Sequence, residues 1–128
     1  LDRAFAQAEA DDAKAVVIGL QADMWDLAQI NGDGLGGYTA FVQELAKHAL
    51  RFGRPVLLLN GDSHLFAADR PLADPTSATG VIHKTPAVAN LTRITLQGSV
   101  NKPSEWLRLT IDPRSHDVFS WENIVYLP

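Results

Sequence analysis

The chain contains no cysteine, which excludes a disulfide framework and any metal site built on thiolates. Among its 128 residues, 11 Lys and Arg stand against 15 Asp and Glu, so the net charge of −4 does not indicate nucleic-acid binding. No apolar run approaches the roughly 20 residues that cross a bilayer, and no signal peptide is visible. The hydrophobic share of 46% is ordinary for a globular core. The length suits one domain or less, and the cellular location stays open.

The first half of the chain predicts helix and strand units in alternation. Apolar residues at helical spacing predict a helix tail over about residues 1–10. The run Ala15–Leu20 is continuously apolar, which is typical of a strand in a sheet covered on both faces. A second helix is predicted over 38–52, ended by Gly53. The strand Val56–Leu59 follows it.

The second half predicts strands only. A long loop with two prolines follows Leu65. Leu91–Leu96 is β-prone, and Leu107–Ile111 predicts a half-buried strand that pairs with Val118–Trp121 across a turn. The sequence therefore predicts an α/β fold, with helix and strand units followed by an antiparallel β-meander.

The strand Val56–Leu59 leads into the most informative loop, which carries Asp62, Ser63 and His64. In an extended loop, the side chains of Asp62 and His64 can point to one side together. A carboxylate beside an imidazole suits metal binding, or a base with its orienting partner. The alternatives are a histidine that caps the next element and an aspartate that bonds local amides.

The order of these helices and strands, with the loop that follows Val56–Leu59, resembles the C-terminal half of a calcineurin-like metallophosphoesterase domain. Such a domain is an α/β/β/α sandwich. The segment Leu1–Gly19 resembles the helix and strand that precede the first C-terminal metal-binding histidine of that family, and Gln21 stands in its place. The segment Gly61–His64 resembles the family's final G-H-x-H motif. It is closer to the G-D-x-H version of the PhoD-like branch, in which Asp62 replaces the first histidine.

The resemblance implies that residues 1–128 are a single partial domain. The family's G-D-x-x-D and G-N-H motifs are not found in residues 1–128, and the D-x-H at Asp62–His64 stands in the place of the final motif, so we expect the missing N-terminal half, or a second copy, as partner. It implies a site with two divalent metals (Mn, Fe, Zn or Ca) that hydrolyses a small phosphate monoester or diester. His64 would be a metal ligand, Asp62 a ligand or an orienting group, and Gln21 a weak ligand. Asp62 and His64 are thus the expected catalytic pair, and this fragment alone is expected to be inactive.

Two other functions stay open at this point. The segment Gly61–Ser63 resembles the start of a GDSL-type esterase motif with Ser63 as nucleophile, although Asp112 and His116 have one residue too many between them for its D-x-x-H pair. The chain could instead be a structural half-domain without catalysis, whose apolar face a partner covers.

The remaining polar residues receive weaker predictions. Trp25 could line a substrate cleft, but core packing is the commoner role of tryptophan. Asn31–Gly34 hints at calcium but fails the EF-hand frame. Lys102 could face a phosphate, but an exposed loop is the simpler interpretation. The other three histidines are expected to be solvated or structural: His48, His83 and His116.

Overall fold

The computed structural model describes residues 1–27, 34–100 and 104–126. In these ranges, a mixed sheet has the strand order β1-β2-β4-β3, and β5 and β6 form a separate two-stranded sheet. The elements are α1 (Asp2–Ala10), β1 (Val16–Gly19), α2 (Thr39–Phe52), β2 (Val56–Asn60), β3 (Ala67–Asp69), α3 (Ala78–His83), β4 (Leu91–Thr95), β5 (Glu105–Ile111) and β6 (Phe119–Val125). A short 3-10 turn, Leu35–Tyr38, leads into α2.

Helix α2 covers one face of the mixed sheet through a stripe of buried residues that recur at helical spacing, among them Val42, Leu45 and Ala49. Gly53 ends the helix in a left-handed conformation (φ +66°), and its N–H donates to the carbonyl of Ala49 at 3.0 Å. Such a conformation is cheap only for a residue without Cβ. The predicted end of this helix is therefore confirmed.

Strand β2 lies at the centre of the packing and is covered on both faces. Val56 and Leu58 belong to the core under the helices, whereas Leu57 and Leu59 pack with the hydrophobic residues of the hairpin. This division follows from the two-residue period of side chains along a strand. The result is three layers, with helices on one face of the mixed sheet and the β5–β6 hairpin on the other.

Strand β1 differs from the prediction that its sheet is covered on both faces. Its burial alternates, and Val17 is 43% exposed. In the described sheet β1 is an edge strand that pairs only with β2, and one of its faces has no layer packed fully over it. A continuous apolar run alone could not distinguish this case from a central strand.

The predicted antiparallel meander is only partly correct. β5 and β6 do form the expected hairpin, but β4 pairs with β2 in parallel and with β3 antiparallel. Helix α3 lies in the region predicted to contain only loop and strands, and it has six residues. So short a helix shows little periodicity, and Ser77 begins it by accepting a hydrogen bond from the N–H of Gly80 at 3.2 Å. The architecture is a mixed α/β fold. Its longest described helix, α2, has 14 residues, and none of the described helices is long and apolar enough to cross a membrane.

Gly80→Ala should destabilise the fold by about 1–3 kcal/mol, the usual cost of overpacking. A Cβ on Gly80 would lie 2.7 Å from the backbone of Asp74 and Pro75, which cannot yield like a flexible side chain. Gly37→Ala is the matched control, because a Cβ there meets nothing within 4 Å. The free energy of unfolding in urea measures both variants, and equal values for the two would contradict the packing argument.

Candidate functional site at the carboxyl edge of the sheet

The parallel strands β1, β2 and β4 end at the same edge of the mixed sheet, which brings their following loops together. The N–H of Gly61 donates to the carbonyl of Gln21 at 3.2 Å, and the N–H of Leu96 donates to the carbonyl of Asn60 at 2.8 Å. The Gln21 side chain lies against Gly61, with Oε1 3.5 Å from where a Cβ would stand. The structure therefore places Gln21 beside the loop that carries Asp62 and His64.

The sequence suggested an extended loop after β2, but the loop is not extended. Asp62 and His64 both have left-handed backbones, with φ of +74° and +62°. Such conformations cost about 1–3 kcal/mol each outside glycine and persist only where the surroundings hold them. The carbonyl of His64 accepts from the N–H of Gly98 at 3.1 Å and from Nε2 of Gln97 at 2.9 Å. Asp62 accepts a long hydrogen bond of 3.4 Å from the N–H of Asp23.

Gly98 lies directly against the His64 side chain. A Cβ on Gly98 would stand 2.4 Å from the Cβ of His64, far inside any real contact. The loop after β4 must therefore have glycine at this position if His64 is to stay where it is. No local feature of the sequence indicates this requirement, since the two residues meet only when β2 and β4 pair.

Asp23 is the central residue of the site, although no role for it was predicted from the sequence. Its side chain is 2% exposed. It accepts hydrogen bonds from the Ser63 hydroxyl at 2.7 Å, from the N–H of Trp25 at 3.1 Å and from the Thr95 hydroxyl at 3.3 Å. This one carboxylate therefore links the loops after β1 and β2 to the end of β4.

Arg93 on β4 supplies the positive charge that the buried Asp23 requires. Its side chain is 9% exposed, and its Nη1 lies 3.7 Å from Oδ1 of Asp23 and donates to the Thr95 hydroxyl at 2.8 Å. The other side of the guanidinium donates twice to Asp69, at 2.9 and 2.7 Å. An arginine in the middle of a β-prone segment was the signal in the sequence, because a buried cation needs a partner.

A cavity of about 310 Å³ opens beside these residues, lined in part by Asp23, Ser63, Trp25, Phe66 and Arg93. Trp25 packs in the core, the commoner of the two roles that the sequence left open. It is 3% exposed and belongs to the core under the helices, and it also forms part of the cavity wall.

Two of the histidines are buried, so the expectation that they are solvated is wrong. His83 ends α3 with Nε2 3.0 Å from the carbonyl of Met24 and Nδ1 3.4 Å from the Thr39 hydroxyl. His48 stacks on Phe5, with ring centroids 5.0 Å apart, because α1 packs over the side of α2 that carries His48. His116 is fully exposed in the hairpin turn. The predictions for Asn31–Asp33 and Lys102 lie outside the described residues.

Metal-binding capacity differs between two places in the described part of the chain. One trio of histidine and acidic residues, Asp2, Glu44 and His48, has donor atoms within 4.8 Å of one another and could hold a metal ion. Asp62 and His64 belong to no such trio among the described residues. Among the described residues, the carboxyl edge therefore contributes at most part of a metal site.

Comparison of the chain with protein families, with curated proteins and with solved structures finds no match in any of the three. Its function must therefore be inferred from the residues and geometry of the site.

Arg93→Met should destabilise the fold by about 3–5 kcal/mol, because it leaves the Asp23 carboxylate buried without a cation. Arg108→Met is the matched control. Its ion pair with Glu122 on the hairpin is about half exposed on both sides, and such pairs contribute about 0–1 kcal/mol. Urea unfolding followed by circular dichroism measures both variants. If Arg93→Met lowers the free energy of unfolding no more than Arg108→Met does, the buried network is not needed for folding.

Proposed function

We propose that this chain supplies one half of a metal-dependent phosphoesterase site, which hydrolyses phosphate monoesters or diesters with a metal-activated hydroxide. The observation that carries the proposal is the conformation of Asp62 and His64. Both are left-handed at the end of a buried parallel strand, and Gln97 and Gly98 hold the second of them in place. Asp12, Lys84 and Val118 have the same backbone region in turns and at a helix end, so the conformation supports a site only together with its position: the carboxyl ends of parallel strands are where open α/β sheets bind ligands.

The donor atoms at this edge suit divalent metals but do not complete a site. An imidazole nitrogen from His64 and a carboxylate oxygen from Asp62 are ordinary ligands of zinc, iron and manganese. The amide oxygen of Gln21, in the adjacent loop, is a weaker neutral donor. Since no third histidine or acid joins Asp62 and His64 in the described chain, the remaining ligands would come from another polypeptide segment. This is the arrangement expected of a half-domain.

In this proposal each residue of the edge has a separate task. His64 would bind a metal through a ring nitrogen, and Asp62 would bind beside it or orient a water molecule. Ser63 and Asp23 would fix the position of the loop through their 2.7 Å hydrogen bond. Bound divalent metals would supply an acidified water and neutralise charge on the phosphate.

The esterase hypothesis is less well supported by the surroundings of Ser63. A serine nucleophile needs a base that takes its proton, most often a histidine. The Ser63 hydroxyl instead donates to a buried carboxylate, which also accepts from Trp25 and Thr95. This contact favours a positioning role for Ser63.

His64→Ala should abolish metal-dependent phosphodiesterase activity in a protein that also carries the proposed N-terminal half. Loss of a ligand should lower metal affinity by at least the roughly 10–100-fold that loss of an outer-shell partner costs. The measurement is hydrolysis of bis-p-nitrophenyl phosphate with Mn²⁺, with circular dichroism as a check of the fold. His116→Ala is the matched control, because that imidazole is fully exposed in the hairpin turn. Wild-type activity in His64→Ala would refute the proposed site, and absence of activity in the unmodified protein would favour a structural half-domain.

Ser63→Ala should preserve most of the phosphodiesterase activity, since the hydroxyl only positions the loop. If Ser63 were an acyl-forming nucleophile, its removal would cost many orders of magnitude, about 10⁶-fold in a serine-protease precedent. The same protein is assayed with a phosphate diester and with a carboxylate ester. If the protein hydrolyses the carboxylate ester and Ser63→Ala abolishes that turnover, the metal-site proposal is wrong and Ser63 is an esterase nucleophile.

A further inference from the structure

Within the described residues, His48 on α2 is a buried imidazole without a hydrogen bond. Its side chain is 2% exposed, and neither ring nitrogen has a hydrogen-bond partner in the described part of the chain. Oδ1 of Asp2 lies 2.8 Å from Nε2, but off the direction in which a ring N–H would donate. A buried polar group left in this state costs about 1–3 kcal/mol. Nε2 of His48 therefore has carboxylate partners at ion-pair distance but no hydrogen bond among the described residues.

Two carboxylates face the same ring nitrogen. Glu44 lies one helical turn before His48, with Oε2 3.8 Å from Nε2, and Asp2 approaches from the first turn of α1. Residues four apart on a helix share a face. The carboxylates are 90% and 53% exposed, for Asp2 and Glu44 respectively. An ion could therefore reach the buried nitrogen from solvent.

The spacing of these atoms is compatible with a metal shell. Ligands about 2.0–2.2 Å from a tetrahedral zinc ion are roughly 3.3–3.6 Å from one another. The observed separations of 2.8 and 3.8 Å lie on either side of that range. The stacked ring of Phe5, tilted by 13° from the imidazole plane, fixes the direction of the nitrogen.

We propose that Asp2, Glu44 and His48 bind a zinc ion, with water in the fourth position. The donor set of one imidazole and two carboxylates, without sulfur, suits Zn²⁺. The ion would join the first turn of α1 to the middle of α2. The site is separate from the carboxyl edge of the sheet and does not depend on the proposed phosphoesterase activity.

The test measures zinc binding in the His64→Ala background, which removes the histidine of the carboxyl edge. Titration with ZnCl₂ against a chromophoric chelator should give one zinc ion per chain. Glu44→Gln should weaken that binding at least about tenfold. It changes one exposed carboxylate, so folding should not be affected. Glu9→Gln is the matched control with the same charge change, since Glu9 pairs with Arg51 on the surface at 3.0 Å.

Two further readouts separate a metal ligand from a packing histidine. Zinc should shift the Nε2 resonance of His48 in ¹⁵N spectra, and it should raise the melting temperature in Glu9→Gln but not in Glu44→Gln. Asp2→Asn should behave like Glu44→Gln. The proposal is overturned if the His64→Ala chain binds no zinc, or if Glu44→Gln binds it as tightly as Glu9→Gln. Neither result would bear on the phosphoesterase proposal, which is tested by activity and by His64.

Discussion

A guanidinium held between two carboxylates organises the carboxyl edge of the mixed sheet. Arg93 lies 3.7 Å from the buried Asp23 on one side and donates twice to Asp69 on the other. A buried ion pair adds little net stability, because desolvation offsets the attraction, but breaking it leaves a buried charge. The pair therefore constrains geometry, since the loop after β1 and the strands β3 and β4 must keep these charges together.

The same network holds the loop that carries the candidate ligands. Asp23 accepts from the Ser63 hydroxyl, and the carbonyl of His64 accepts from the chain after β4. Asp62 and His64, whose backbones are left-handed, are therefore held by contacts of their loop with the segments that follow β1 and β4. A site that must place a metal ligand within a fraction of an ångström needs this kind of support.

The described histidines show how the environment decides the role of a residue type. His83 uses both ring nitrogens in contacts with Met24 and Thr39, which makes it a packing residue that orients α3. His48 is equally buried, makes no hydrogen bond to any residue that the structure describes, and faces two carboxylates. Burial alone therefore does not distinguish a structural histidine from a candidate ligand, and the hydrogen bonds of the ring nitrogens supply a second criterion.

Local patterns in the sequence determined α2 with its Gly53 end, the buried strand β2, the β5–β6 hairpin and the loop that carries Asp62 and His64. Each of these depends on residues a few positions apart, through helical or strand periodicity and turn chemistry. The short helix α3, the exposed face of β1 and the parallel pairing of β4 were not predictable in this way. The tertiary structure alone decided the Asp23 network and the contact of Gly98 with His64. Asp23 and Thr95 are 72 positions apart, and their contact exists only because parallel strands end at a common edge.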